Sequence, residues 1–204
     1  MSNRRTDTRT QIQQVALDLF SEQGYEKTSL REISERLGVT KAALYYHFKT
    51  KEDILRSVFQ DAVAEVDDLV AWGRARPRTR ETRAELLRRY GTILDGRWRT
   101  IMVFQHENQG SLHDLVVAGE MQTRMWAVFD LFRDPDAPIV DQLRAVMAVM
   151  ALHLSMGAGK FGFPGTPEEI KAAALEISAD LIGIPRELVL SDPAPIPTPA
   201  GGEG

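Results

Sequence analysis

Residues 28–51 read TSLREISERLGVTKAALYYHFKTK, and this stretch decides the fold of the first quarter of the chain. Ser29 and Glu32 have the spacing of a capping box, in which the two residues satisfy each other's free backbone N–H groups, so a helix is predicted to begin directly after Ser29. Gly38 allows the positive φ of a tight turn. Thr40 supplies the N-cap of a second helix. Two short helices joined by a glycine turn make a helix-turn-helix motif.

The second of these helices, predicted to span Lys41–Phe48, has an exposed face suited to duplex DNA. Leu44 and Phe48 are its apolar anchors, which leaves small side chains, hydroxyls and cations on the other side. A helix that enters the major groove needs small residues for close approach and donors that reach phosphates and base edges. The predicted contact residues are Thr40, Lys41, Ala42, Tyr45, Tyr46, His47, Lys49 and Lys51. Two alternatives stay open: Tyr45 is half packed in the core, and His47 caps or packs.

An amphipathic helix precedes the motif. Its apolar residues recur at the spacing of one helical face: Ile12, Val15, Ala16, Leu19 and Phe20. Gly24 is predicted to end this helix, and Tyr25 to pack back onto the bundle. Residues 1–50 are therefore expected to form a domain of three helices.

This segment resembles the DNA-binding domain of the tetracycline-repressor (TetR) family. The resemblance covers about residues 8–59 and rests on the combined spacing of Ala16–Leu19–Phe20, Gly24–Tyr25, Thr28–Ser29, Ile33, Gly38–Val39, Leu44–Tyr45, His47–Phe48 and Lys51. It implies a ligand-responsive transcription regulator, most often a repressor, that binds a palindromic operator in double-stranded DNA as a homodimer. Thr28 or Ser29 would then contact the flanking phosphates. The alternative is a three-helix bundle that packs against something other than DNA.

The rest of the chain predicts further helices and no strand, because alternating polar and apolar runs are missing. The expected fold is all-α with about nine helices. It comprises a helix-turn-helix domain over residues 1–50, a ligand-binding and dimerisation domain over residues 51–190, and a disordered Pro-rich tail over residues 191–204. Helices are predicted to begin at Lys51, at Thr82 with Glu85 as capping partner, at Arg97, after Ser111, at Pro138 and after Thr166.

The last two predicted helices of the ligand-binding and dimerisation domain, which begin at Pro138 and after Thr166, are apolar on several sides. Burial of these helices by a second copy of the chain is therefore expected. The resemblance implies the same, with a four-helix interface between two subunits. The long helix from Lys51 would connect the effector site to the DNA site.

Composition restricts the remaining functions. The chain has no cysteine, which excludes disulfides, thiol nucleophiles and thiolate metal sites and fits a reducing cytoplasm. No secretory leader and no stretch of about 18 apolar residues is apparent, so no membrane association is expected. The net charge of −4 divides into +3 for residues 1–51 and −7 for the remainder, which suits a nucleic-acid surface at one end.

An apolar or aromatic small molecule is the predicted effector. All three tryptophans and six of the seven methionines follow residue 70, and methionine fills adaptable cavities. The predicted lining is Trp98, Met102, His106, Gln109, Met121, Met125, Trp126, Phe129 and His153. The competing interpretation is that these side chains are ordinary core.

No enzyme, cofactor or metal is predicted. His106, His113 and Glu120 recur every seven residues, but Gly110–Ser111 interrupts the helix between the first two, and no catalytic motif is recognisable. A run of arginines at Arg74, Arg76, Arg78, Arg80 and Arg83 could form a second nucleic-acid patch. A helix boundary marked by Pro77 is the preferred interpretation. Three alternative functions stay open. The protein is an activator or a regulator without a ligand, an enzyme that retains a vestigial DNA-binding domain, or a regulator controlled by a protein partner.

Overall fold

The computed structural model describes residues 2–98, 101, 118–157 and 162–190. Within those ranges the chain is all-helical, with nine α-helices and no strand. They are α1 Ser2–Gln23, α2 Leu30–Leu37, α3 Lys41–His47, α4 Lys51–Arg74, α5 Arg80–Ile93, α6 Ala118–Phe132, α7 Ile139–Met156, α8 Pro167–Leu181 and α9 Glu187–Leu190. A π-helical turn, Leu94–Trp98, follows α5 and is kinked at Gly96, whose φ and ψ of −77° and −132° are not helical. The predicted helix Arg97–Gln109 and the predicted tail lie mostly or wholly outside the described residues.

The chain divides into two compact units, and the division falls inside α4 and α6. The first unit comprises residues 1–68 and 93–127. Its core is built from the predicted apolar face of α1 and from the anchors of the next three helices, with Phe20, Ile33, Leu44 and Ile54 fully buried. Tyr25 packs its ring against Phe20 at a centroid distance of 5.0 Å, as the sequence predicts.

The second unit comprises residues 69–92 and 128–204. Its main contact joins α7 and α8, where small residues such as Ala148 and Ala174 let the two backbones approach closely. Ser178 is fully buried there, and its hydroxyl lies 2.7 Å from the carbonyl oxygens of Ala148 and Ala174. The buried hydroxyl therefore has partners on both helices, as a buried donor requires.

Three features differ from the sequence predictions. Helix α5 begins two residues before Thr82, and Thr79 is its cap, because the Thr79 hydroxyl accepts from the Thr82 backbone N–H at 3.2 Å. The short helix α9 was not predicted. Helix α7 is also more apolar than expected, because its 18 residues reach a mean hydropathy of 1.3 and would pass as a membrane span by length and composition. Asp141 and Arg144 nevertheless pair within its first two turns, at 2.8 Å.

Candidate nucleic-acid interface

The turn between α2 and α3 has the predicted construction. Ser29 accepts from the Glu32 backbone N–H at 3.2 Å, and Glu32 accepts from the Ser29 backbone N–H at 2.8 Å. Hydrogen bonds from Ser29 also hold the pKa of Glu32 below its ordinary value. Gly38 closes α2 with a φ of 72°, a conformation that favours glycine. Thr40 then caps α3 by accepting from the Ala43 backbone N–H.

Two buried anchors fix the orientation of α3. Leu44 is fully buried and Phe48 is 4% exposed, so this side of the helix is committed to the core. The opposite face is open to solvent: Tyr45 is 45% exposed, Tyr46 is 60% exposed, and Lys41 and Ala42 are exposed as well. A short helix therefore presents two phenol hydroxyls, one ammonium group and one methyl group on an unobstructed surface.

Lysines at the end of α3 differ in their freedom. Lys49 is exposed, and its ammonium donates to the Tyr45 carbonyl oxygen at 2.7 Å. Lys51 is half-buried, donates to the Tyr25 carbonyl oxygen at 2.6 Å and lies 4.3 Å from the centroid of the Tyr25 ring. Lys51 therefore ties α4 to the loop after α1. Lys41 and Lys49 carry the more accessible charges.

Thr28 and Ser29, one of which is predicted to contact the flanking phosphates, occupy different environments. Thr28 is 2% exposed, and its hydroxyl donates to the Gly24 carbonyl oxygen at 2.9 Å. That hydroxyl therefore serves the loop before α2. Ser29 is exposed, although its hydroxyl already donates to Glu32. His47 is half-buried at the end of α3, and its ring lies edge-on to Tyr46 at a centroid distance of 5.3 Å.

A buried polar network supports this surface, and the sequence analysis missed it. The Gln13 amide, 2% exposed, donates to the Ser57 hydroxyl at 2.8 Å and to the Asp61 carboxylate at 2.7 Å. Arg9 pairs with the same carboxylate at 2.9 Å. These bonds connect α1 to α4 inside the first unit. The only sequence signal was a polar residue beside the apolar stripe of α1, which is common on any surface helix.

The predicted effector residues are divided between the two units. Trp98 is buried in the first unit, where its indole N–H donates to the Ala62 carbonyl oxygen at 3.2 Å and its ring meets Phe59 edge-on. In the same unit Met125 is half-buried and Trp126 is 57% exposed. Met102, His106 and Gln109 lie outside the described residues, as does the side chain of Met121.

Phe129 and His153 come together in the second unit, with ring centroids 6.5 Å apart. The Tyr90 hydroxyl lies 2.8 Å from His153 Nε2, and His153 Nδ1 lies 3.0 Å from the Val149 carbonyl oxygen. Because a carbonyl only accepts, Nδ1 carries the proton and Nε2 accepts from Tyr90. Burial lowers the pKa of His153 and raises that of Tyr90. This pair is therefore neutral and fully bonded.

The described part of the second unit contains a small cavity and a wider groove, and neither is lined by a predicted effector residue. One has a volume of about 180 Å³ and lies among arginines that include Arg76 and Arg78. The other, of about 690 Å³, is a polar groove bordered by Asp141, Arg144 and the end of α8. Arg83 borders both. Among the residues that the structure describes, acidic and histidine side chains form no cluster suited to a metal ion.

Comparison with known proteins agrees with this construction. Residues 12–58 match the model of bacterial regulatory proteins, tetR family. The chain is 43% identical over 63 residues to the HTH-type transcriptional regulator AcrR of Shigella flexneri, covering 31% of this chain and 29% of that protein. It is 51% identical over 41 residues to IcaR of Staphylococcus epidermidis, the negative transcriptional regulator of a biofilm operon, covering 20% and 22% of the two chains. The matches thus span about a quarter of these curated relatives.

A solved structure extends the likeness beyond the first domain. The SmeT–triclosan complex superposes with a TM-score of 0.59 at 20% identity, over 94% of this chain and all of SmeT. At that identity the likeness concerns the fold, which is an N-terminal helix-turn-helix followed by a helical domain. Residues 12–58 are therefore similar to the helix-turn-helix region of the tetR family of bacterial regulatory proteins, and the shared fold extends a structural likeness over the rest of the chain.

Proposed function

We propose that this protein is a dimeric transcription regulator that binds duplex DNA through α3 and releases it when a small molecule binds. The observation that carries the proposal is the outer face of α3, where Lys41, Ala42, Tyr45 and Tyr46 are all exposed while Leu44 fixes the helix from behind. Tyrosines exposed side by side need another reason than packing, and the phosphate backbone supplies one, because both hydroxyls can donate to it.

Roles follow from position on the helix. Ala42, near the start of α3, permits close approach to the groove floor, as recognition helices require at their N-terminal residues. Lys41 and Lys49 supply charge for phosphates, and the Tyr45 and Tyr46 hydroxyls supply donors. His47, at the end of the helix, is placed for a further contact. Lys51 and Thr28 act mainly by holding the motif together, since both bond to backbone carbonyls within it.

The proposed dimer interface uses α7 and α8. Helix α7 exposes a continuous apolar stripe in the single chain, made of Ile139, Leu143, Met147, Met150 and Leu154, each at least 46% exposed. Ile177 of α8 is 53% exposed. Residues 143, 147, 150 and 154 recur at intervals of four and three, which is the spacing of a helix–helix seam. A large exposed apolar surface marks an interaction site, and a second copy of the same stripe is the partner that two-fold symmetry supplies.

An effector is proposed from the aromatic and methionine side chains of the body. The solved structure of SmeT, which shares the fold, is a complex with triclosan. In this chain Trp98 bonds to the Ala62 carbonyl oxygen of α4, so a molecule that displaces the π-helical turn Leu94–Trp98 would disturb α4. While it is bound to DNA, the protein would act as a repressor, as IcaR is described. It would do so in the cytoplasm. An activator or a regulator without an effector is the alternative.

The test of DNA binding starts with a duplex that the purified protein selects from a random pool. Fluorescence anisotropy then compares the parent protein with Tyr46→Ala and with Arg133→Ala, which removes an exposed cation in the second unit. Loss of a phosphate-donor hydroxyl and its ring should weaken binding about tenfold or more, whereas Arg133→Ala should leave it unchanged. Equal affinities for the parent and Tyr46→Ala would refute the assigned role of α3.

The effector is tested separately on the same complex. Triclosan and an extract of small bacterial metabolites are added to the protein–duplex complex, and release is followed by anisotropy. Coupling of about 1–3 kcal/mol corresponds to a fall in DNA affinity of roughly 5- to 150-fold. If no fraction of the extract changes the affinity, the regulator without an effector replaces the ligand-responsive one, while DNA binding itself is unaffected by that outcome.

A further inference from the structure

The cavity of about 180 Å³ in the second unit has an unusual concentration of positive charge. Its lining includes Arg74 at the end of α4, Arg76 and Arg78 in the loop that follows, and Arg83 in α5. Asp130 is the single acidic residue of the lining. The arginine run that the sequence analysis attributed to a helix boundary is therefore gathered around one concavity.

These charges are not neutralised inside the protein. Among the described residues, none of the four arginines pairs with a carboxylate. The carboxylate of Asp130 is bound instead by Arg133, at 2.7 Å, on the same helix. Like charges so close together repel, and a bound anion is the simplest means of offsetting that repulsion.

Two of the guanidinium groups are held in place by contacts that leave their charge available. Arg78 donates to the carbonyl oxygens of Arg133, at 3.1 Å, and of Asp130, at 3.3 Å. Arg76 donates to the Trp72 carbonyl oxygen at 3.0 Å and lies 4.1 Å from the centroid of the Trp72 ring. Positioned guanidinium groups lose less conformational freedom when they bind a ligand, which favours binding.

A third arginine has a donor without an acceptor. The Nε atom of Arg83 is buried and makes no hydrogen bond in the structure. Buried donors of charged groups are normally satisfied. Because Arg83 lines the cavity, a water molecule or a ligand oxygen bound there is a candidate acceptor for this donor. Two adjacent N–H groups of a guanidinium fit two oxygens of a phosphate.

The apolar part of the wall comes from Leu86 and Leu131, beside Gly73. A Cβ atom at Gly73 would lie 2.9 Å from Leu131 Cδ2, so α4 approaches these leucines more closely than any other residue type would allow without movement. The site thus combines a small apolar wall with a ring of guanidinium groups. Its volume accommodates one anionic group with a few attached atoms and excludes a DNA duplex.

We propose that this cavity binds a small molecule through a phosphate group, either a phosphomonoester or a pyrophosphate. A dianion suits a site with four unpaired guanidinium groups better than a single carboxylate does, and arginine binds phosphate bidentately. The site is independent of the proposed contact between α3 and DNA, since it is built wholly from the second unit. It lacks the residues predicted for the apolar effector.

The test uses the full chain and isothermal titration with three probes at matched ionic strength: pyrophosphate, glycerol 3-phosphate and sulfate. Saturable binding of pyrophosphate or glycerol 3-phosphate, at least tenfold tighter than that of sulfate, is expected. The probe that binds more tightly shows whether the natural ligand carries a pyrophosphate or a phosphomonoester. Equal binding of all three, or none, overturns the proposal.

Variants locate the binding. Arg78→Gln and Arg76→Gln should each weaken phosphate binding about tenfold. Arg80→Gln is the matched control, because Arg80 belongs to the same run but does not line the cavity, and it should have no effect. Arg83→Lys keeps the charge and removes Nε, so a loss of affinity with this variant supports the role of the buried donor. Equal losses for Arg80→Gln and Arg78→Gln would show general attraction only, and weakened duplex binding with unchanged phosphate binding would show a nucleic-acid patch instead; either result overturns the site.

Discussion

Gln13 in α1 donates a hydrogen bond of 2.7 Å to the carboxylate of Asp61 in α4, and it does so from a position that is 98% buried within the first unit. The same amide nitrogen lies 2.8 Å from the Ser57 hydroxyl. Because Arg9 also pairs with Asp61, one carboxylate receives two side chains of α1. This network fixes the helix that supports the helix-turn-helix against the helix that leads into the body.

Replacing Gln13 by alanine should destabilise the protein by about 1–3 kcal/mol, because the buried Ser57 hydroxyl and the part-buried Asp61 carboxylate lose a donor. Chemical denaturation measures the change. Gln14→Ala is the matched control: Gln14 is exposed and bonds only within α1, to Asp18 at 2.9 Å. Its effect should stay within about 0.5 kcal/mol. Equal losses of unfolding free energy in the two variants would show that the Gln13 network does not stabilise the protein.

Lys41→Ala should weaken binding to every duplex and lower the slope of log K against log salt by about one unit, as the loss of one phosphate contact predicts. Anisotropy titrations between about 50 and 200 mM salt give the slope. Lys51→Ala should change the slope less and the stability more, since its ammonium is bonded to Tyr25. The reverse order would return Lys51 to the role of phosphate contact that the sequence predicts.

His153 should make the second unit sensitive to acid. Burial lowers its pKa in the folded protein below the ordinary value of 6.5, so the unfolded chain binds the proton first as the pH falls. The contribution to stability is therefore complete above about pH 6.5 and decreases as the pH falls from there toward the folded pKa. Unfolding free energies of the parent and His153→Gln, measured from pH 8 to pH 5, should differ by an amount that shrinks on acidification. A difference that is constant with pH would contradict a neutral, buried His153.

Ile177→Glu should convert the dimer to monomers, because the new carboxylate would be buried without a partner at a cost of several kcal/mol. Sedimentation velocity gives the oligomeric state. Leu190→Glu is the control, since Leu190 is similarly exposed, at 48%, but lies outside the stripe on α7 and α8. If Ile177→Glu stays dimeric, or if Leu190→Glu dissociates equally, the interface lies elsewhere.

Most of the fold could be predicted from patterns among residues that are close together in the sequence. The capping box at Ser29–Glu32 closes as the sequence predicts, and two further boxes, Thr50–Asp53 and Thr166–Glu169, close at the predicted starts of α4 and α8. Each box involves residues three apart on one chain segment. The cap of α5 was assigned wrongly to Thr82, since Thr79 offers an equivalent hydroxyl and the path of the chain after Pro77 decides between them. The exposed face of α3 followed from Leu44 and Phe48 in the same local way.

Long-range partners could not be predicted. Gln13 and Asp61 are separated by 48 positions, and nothing in either segment signals the pair. Thr28 resembles a surface hydroxyl in the sequence, yet it is buried because the loop after α1 turns its side chain toward Gly24. The arginine cavity likewise depends on α6 contributing Asp130 and Leu131 beside α4 and α5.

The central claim is that α3 enters the groove of duplex DNA, and the absence of cysteine from the chain permits a direct measurement. Ala42→Cys, on the exposed face of α3, is labelled with an iron–EDTA cleavage reagent, and the cut positions on a selected duplex are mapped. Strong cleavage is expected in two symmetric half-sites about one helical turn or slightly more apart, and none is expected from the control Ala75→Cys directly after α4. Uniform cleavage, or equal cleavage from the two labelled proteins, would contradict the central claim.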